Sequence, residues 1–142
     1  MKSETIENDI LEKYSNAVTR GLLASPPGAG HWQRLIARPR LDLSNFEEVQ
    51  TWVASQIERR EIWLVLDLKG THFMSLAVIR FLENLSIELR RQGGALALLA
   101  MPDKTRRIFE IYGSLKNIYL ANKVENLKTL QASILTPFFR DY

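Results

Sequence analysis

The feature that most constrains the fold of this chain is an uninterrupted apolar run near its middle, Ile62-Trp63-Leu64-Val65-Leu66. A strand with one solvated face alternates apolar and polar residues, whereas a continuous run of this length is typical of a strand buried on both faces. Such strands have parallel neighbours, and a parallel pair needs a long connection, usually a helix, between its strands. The run therefore predicts an α/β domain.

Strand and helix patterns alternate on both sides of this run, as expected for βα units. Strands are predicted at 32–37, 62–66, 95–100 and 117–120. Helices are predicted from a capping box at Ser44 and Glu47 to residue 60, at 75–92, between Pro102 and Gly113, and at 124–135. The pair Gly93-Gly94 indicates a left-handed end to the second of these helices.

The third helix combines basic residues with an apolar stripe. Its periodicity predicts that one face is buried and that the basic side chains lie on the solvated face. The predicted buried residues are Thr105, Ile108, Phe109 and Tyr112, and the predicted exposed ones are Lys104, Arg106 and Arg107.

The chain before the first strand differs in character from the rest. Ile6, Ile10, Tyr14 and Val18 are spaced by fours, which predicts an amphipathic helix over 4–24, and the proline and glycine residues of 25–30 predict a linker. We therefore expect three parts: this helix and linker at 1–30, an α/β domain at 31–135, and an aromatic C-terminal tail at 136–142. A homo-oligomer could form through the N-terminal helix.

Several short motifs lie between residues 32 and 135. They are Pro39-Arg40-Leu41-Asp42, Asp67-Leu68-Lys69-Gly70, Phe73-Met74, Arg91-Gln92-Gly93-Gly94 and the segment 108–115. Together they resemble the STAS family, the sulfate-transporter and anti-sigma-factor-antagonist domain. The resemblance implies a mixed four- to five-stranded sheet with helices packed mainly on one side, to which this chain adds the N-terminal helix.

The resemblance also implies a docking surface where the loop after the central strand meets the next helix. In the partner-switching branch of the family, a kinase-like anti-sigma factor binds there and phosphorylates a serine or threonine at the helix start. Aligned without a gap, Leu76 stands at this phosphoacceptor position, and a one-residue gap would place Ser75 there instead. The residues implied in partner binding are Asp42, Thr71, His72, Phe73, Met74, Ser75 and Leu76.

Ser75 and Leu76 each have a second interpretation. Ser75 fits the N-cap of the helix, where its oxygen would accept a hydrogen bond from an early helix amide. Leu76 fits either the domain core or an exposed contact with a partner. We favour the cap for Ser75, with phosphorylation of Ser75 as the weaker alternative, and we leave both environments open for Leu76.

The remaining chemistry predicts no metal site, no cofactor and no catalytic centre. The chain has no cysteine and two histidines, His31 and His72, and Asp42 and Asp67 are interpreted as turn residues because aspartate is common in turns. A net charge of +3 with scattered basic residues does not indicate nucleic acid binding, and the longest apolar runs are too short to insert into a membrane. We expect a cytoplasmic, non-enzymatic interaction module.

Two alternatives to an anti-sigma-type module remain open. The chain could be an accessory or scaffold subunit of a larger transport or signalling assembly, since the N-terminal helix and the aromatic tail offer apolar surface. It could also bind a small anionic ligand or nucleotide at the start of the Ser75 helix, where free amides favour negative charge.

Overall fold

A computed structural model describes the backbone of residues 32–139 of the 142-residue chain and the side chains of residues 32–135. The predicted N-terminal helix, the linker and residues 140–142 lie outside the described residues. The strands are β1 (Gln33–Ile36), β2 (Arg40–Leu41), β3 (Trp63–Asp67), β4 (Phe73–Met74), β5 (Ala95–Leu99) and β6 (Tyr119–Ala121). The helices of this part of the chain are α1 (Phe46–Glu58), α2 (Leu76–Arg91), α3 (Asp103–Tyr112) and α4 (Glu125–Phe139).

The main sheet has four strands in the order β1-β3-β5-β6, and every adjacent pair is parallel. Every residue of β3 and β5 is buried, which confirms the prediction of a central strand covered on both faces. The α/β class is confirmed too. Where the resemblance implied a mixed sheet, the strands of residues 32–139 run parallel throughout, because a helix separates each strand of this sheet from the next.

The two faces of the sheet are covered unequally. Helices α1, α2 and α3 pack on the face formed by Leu64, Leu66, Leu96 and Leu98. Helix α4 packs on the opposite face, against Val65, Ala97 and Leu99. Helices packed mainly on one side are therefore confirmed.

Helix α2 makes an extensive contact with the sheet. It buries Val78, Ile79, Leu82, Leu85 and Leu89, each at most 6% exposed. Full burial of a side chain of this type contributes about 1.5–3 kcal/mol, so this stripe fixes α2 firmly against the sheet. The first residue of the helix, Leu76, is therefore presented from a rigid support.

On the opposite face the indole of Trp32 closes the junction between β1 and α4. Its ring lies 5.3 Å from that of Trp63 in an edge-to-face arrangement. Its Nε1 donates a hydrogen bond to the carbonyl oxygen of Leu127 at 2.9 Å. A buried indole N–H needs such an acceptor, so Trp32 joins two elements that are distant in sequence.

The predicted capping box at Ser44 and Glu47 is wrong. Helix α1 begins after Asn45, and the described side chains make no capping hydrogen bond to it. The hydroxyl and the amide of Ser44 both donate to Asp42 Oδ1. The reason is local competition: an aspartate two residues upstream is the stronger acceptor for a serine in a turn, so the Ser44 hydroxyl donates there and does not cap the helix.

The glycine pair after α2 has the predicted role. Gly93 has φ +92°, in the left-handed region, and the Gly94 amide donates to the carbonyl of Leu89 at 2.8 Å. A Cβ on Gly94 would lie 2.0 Å from the carbonyl oxygen of Ile62, so the second glycine allows the chain to pass close to β3. The two glycines thus serve different needs.

Helix α3 agrees with its predicted pattern at all but one position. Thr105 and Phe109 are buried, Ile108 is half-buried, and Lys104, Arg106 and Arg107 are exposed. Tyr112, predicted to be buried, is exposed. It is the last residue of the helix and the chain becomes extended at Gly113, so the stripe ends before Tyr112 can be covered.

The last helix is longer than predicted. Helix α4 continues to Phe139, beyond the predicted end at residue 135, so the predicted aromatic tail begins inside the helix. Pro137 lies in the last turn of this helix, where a proline removes only one hydrogen bond. Among residues 32–139, no helix has both the length and the apolarity to cross a bilayer.

Arg60 offers a test of backbone strain. Its φ of +63° places a non-glycine residue in the left-handed region just after α1. We expect Arg60→Gly to raise the free energy of unfolding by about 0.5–1 kcal/mol, because relief of about 1–2 kcal/mol of strain exceeds the entropic cost of glycine. Urea denaturation measures the change.

The matched control is Arg59→Gly, since Arg59 has an ordinary φ of −82° at the end of the same helix. Glycine there is expected to lower the free energy of unfolding by about 0.5–1 kcal/mol. Equal losses from both substitutions would show that Arg60 carries no strain.

Candidate functional site

The central strand ends in a turn organised by the carboxylate of Asp67. Its Oδ1 accepts a hydrogen bond from the Lys69 amide at 3.0 Å, and its Oδ2 accepts one from Arg34 Nε at 3.1 Å. The Asp67 side chain is buried, and the arginine supplies the opposite charge that a buried carboxylate needs. Asp67 is thus a turn residue, as predicted, and its hydrogen bonds are separate from those of Asp42.

Thr71 anchors the loop that follows this turn. The residue is fully buried, and its amide donates to the Leu68 carbonyl at 2.9 Å. Its hydroxyl donates to the carbonyl oxygen of Arg38 at 2.9 Å, and its own carbonyl accepts from the Thr105 hydroxyl at 2.7 Å. This chain of hydrogen bonds joins the loop to the turn after β1 and to the first turn of α3.

A two-strand parallel sheet of β2 and β4 fixes the next part of the loop. Arg40 pairs with Phe73 and Leu41 with Met74 in this sheet. The His72 amide donates to the Pro39 carbonyl, and the Ser75 amide donates to the Leu41 carbonyl, each at 2.9 Å. The Leu41 and Met74 side chains enter the core at 1% exposure, so this small sheet is tied to the domain interior.

Helix α2 begins directly after this sheet. Ser75 is its N-cap, in an extended conformation, and its oxygen accepts from the Val78 amide at 3.4 Å. This confirms the predicted cap. Leu76, the next residue, is 49% exposed, so it lies at the surface and not in the core.

The turn after β2 lies on the other side of this junction. Asp42 accepts hydrogen bonds from the hydroxyl and the amide of Ser44, and Arg40 Nε lies 3.7 Å from its Oδ2. These groups favour the charged carboxylate: the Ser44 hydroxyl, then the Ser44 amide, outweigh a small opposing effect of burial, and Arg40 adds to them, so the pKa of Asp42 is lowered. Leu43, between these residues, is 75% exposed.

The structure brings the sequence-predicted residues together and divides them into two groups. Thr71 and Met74 are buried, so a partner at the surface does not reach their side chains, and they hold the loop in place. His72 and Leu76 are exposed, and Asp42, Phe73 and Ser75 are half-buried. Partner contact stays a prediction for this second group.

Sequence reasoning missed three residues at this site: Arg40, Leu43 and Thr105. Leu43 is an apolar residue in a polar turn, which is a weak signal of exposure. Arg40 lies over the ring of Phe73, 4.1 Å from its centroid, because the register of β2 on β4 places them side by side. No spacing in the sequence carries that register.

In the part of the chain that the structure describes, histidine and carboxylate side chains form no group suited to a metal ion.

Comparison with known proteins gives three findings. The model of the STAS domain family matches residues 36–127. A candidate anti-sigma factor antagonist, BtrV of Bordetella bronchiseptica, is 32% identical over 82 residues, which cover 58% of this chain and 71% of that protein. The crystal structure of a candidate anti-sigma factor antagonist from Thermotoga maritima superposes with a TM-score of 0.63 at 14% identity, covering 71% of this chain and 87% of that one.

The Thr105 hydroxyl provides a test of how the loop is held. Thr105→Val keeps the shape of the side chain and leaves the buried Thr71 carbonyl without its donor, so we expect a loss of about 1–3 kcal/mol in the free energy of unfolding. Hydrogen exchange at the His72 and Ser75 amides should become faster, because the loop loses its link to α3.

The control is Thr105→Ser, which keeps the hydroxyl and removes only a methyl group. Its His72 and Ser75 amides should exchange as in the parent protein. Equal exchange rates in the valine and serine variants would show that the hydrogen bond to Thr71 does not hold the loop.

Proposed function

This chain belongs to the STAS domain family, and on that premise we propose that it is a non-enzymatic module of the anti-sigma factor antagonist type. It docks on a regulatory protein, in the first instance a kinase-like anti-sigma factor, at the junction between the β4 strand and helix α2. It does so without phosphorylation at the usual position. The observation that carries the proposal is the exposed Leu76 in the first turn of α2.

Leu76 supports docking without a chemical switch for two reasons. It has no hydroxyl, so it cannot accept a phosphate. Burial of its exposed apolar side chain against a partner stabilises the complex by about 25 cal/mol for each Å² removed from water. Leu43, two residues after the Leu41 carbonyl that accepts the Ser75 amide, is a second exposed apolar side chain.

The environment of Ser75 supports the same conclusion. Its oxygen is used as the cap of α2, and the residue is half-buried. A role as cap accounts for the serine without a second function.

The rigidity of the junction supports docking too. The hydrogen bonds of Thr71, His72 and Ser75 to neighbouring segments fix the backbone on which Leu76 is presented. A surface that is ordered before binding loses less conformational entropy when the partner arrives. The loop therefore serves as a preformed support for the contact.

The proposal is tested with Leu76→Asp and the matched control Ile87→Asp. Leu76 and Ile87 lie on the same helix at 49% and 46% exposure, so both variants place a charge on a comparable surface of α2. Leu76→Asp should weaken binding to purified kinase-like anti-sigma factors of the source organism by about 30-fold or more, as at an interface hot spot, and Ile87→Asp should not. Titration calorimetry measures both. Equal affinities of the two variants would contradict the proposed surface.

A second arm of the experiment tests the absence of phosphorylation. The protein is incubated with each of the same anti-sigma factors and ATP, and its intact mass is then measured. We expect the unmodified mass throughout, because the aligned acceptor is Leu76. Stoichiometric phosphate on Ser75 would overturn this part of the proposal and favour the gapped alignment.

A further inference from the structure

Two arginines near the docking surface differ in how their guanidinium groups are used. Arg38 makes a two-pronged ion pair with its own chain, from Nε and Nη2 to the carboxylate of Glu48, at 2.7 and 2.8 Å. For Arg40, the approach to a carboxylate is longer, with Nε 3.7 Å from Asp42 Oδ2. Among residues 32–135, no acceptor forms a hydrogen bond with its two Nη nitrogens. The outer edge of this guanidinium is therefore open to a partner.

Two contacts favour the observed orientation of Arg40. Its guanidinium carbon lies 4.1 Å from the centroid of the Phe73 ring, a cation–π contact, while Asp42 faces its Nε from the side. An exposed arginine ordinarily loses much rotamer freedom on binding, and stacking reduces that loss in advance. Arg40 is nevertheless accessible, with 58% of its side chain exposed.

The position of Arg40 connects it to the docking surface. It pairs with Phe73 in the small sheet, and the next residue, Leu41, accepts a hydrogen bond from the amide of Ser75, which precedes Leu76. Leu43 follows two residues after Leu41. An oriented cation and two exposed leucines thus belong to one rigid junction.

We infer that Arg40 is a partner-recognition residue, and that its open guanidinium edge receives an aspartate or glutamate carboxylate of the protein that contacts Leu76. This inference rests on the proposed function. Phe73 acts here as a positioning residue, since its ring lies beneath the Arg40 guanidinium. The planar guanidinium of an arginine binds a carboxylate through two parallel hydrogen bonds, so the orientation of Arg40 matters as well as its charge.

The surroundings favour a protein as the source of the carboxylate. A nucleic acid would require several unpaired cations along one track, whereas Arg38 is engaged with Glu48 and the neighbours Leu43 and Leu76 are apolar. An arginine beside exposed leucines fits the composition of protein interfaces, where arginine and apolar groups lie at the centre.

The test compares Arg40→Lys with the matched control Arg38→Lys in the full-length chain. The probes are the purified kinase-like anti-sigma factors of the source organism and a short DNA duplex. Arg40→Lys keeps the charge but loses the fork and the stacking, so we expect about tenfold or more weakening of the affinity for the protein partner. Arg38→Lys, at similar exposure, should bind as the parent does. Phe73→Leu should weaken binding less than Arg40→Lys does.

A spectroscopic readout separates recognition from a structural role. The Arg40 Nε–H resonance of the parent protein should shift on addition of the partner, while that of Arg38 should not. Unchanged affinity of Arg40→Lys, together with weakened binding of Leu76→Asp, would overturn this inference and leave the proposed function standing. Unchanged affinity of both variants would overturn both, and Arg40-dependent binding of the DNA duplex alone would overturn the protein partner.

Discussion

The constraint on which the rest of the structure depends is that β3 has a parallel neighbour on each side and a packed layer on each face. Each backbone amide and carbonyl of such a strand must find its partner within the sheet, because water does not reach it. Parallel neighbours in turn require the chain to cross over the sheet between strands. The α/β order and the buried apolar run both follow from this one requirement.

The same constraint creates the site. The C-terminal end of a buried strand lies at the edge of the sheet. The loop that follows it contains polar groups that still need hydrogen-bond partners. Asp67, Thr71 and Thr105 supply them, and the two residue pairs between β2 and β4 complete the arrangement. The loop is therefore hydrogen-bonded to several neighbouring segments, which suits a docking surface.

The sequence predicted those features that depend on local pattern or on burial. The apolar run of β3, the cap at Ser75 and the left-handed Gly93 are all of this kind, and each is confirmed. The failures share another cause. The Ser44 hydroxyl donates to an upstream acceptor, and Tyr112 lies beyond the part of its helix that packs on the domain. Arg40 contacts Phe73 because of the register between two-residue strands. Each depends on which residues become neighbours in space, and no periodicity in a single sequence carries that information.

The exposed Leu76 has a consequence for how a module of this kind can be controlled. A phosphorylated serine gives a docking surface two chemical states, and an enzyme sets the ratio between them. On the proposed function, a leucine leaves a single state, so the fraction of partner bound is set by mass action alone, through the concentrations of the two proteins and of any competitor for the same surface. The protein would then act as a titrant, with its synthesis and degradation as the signal.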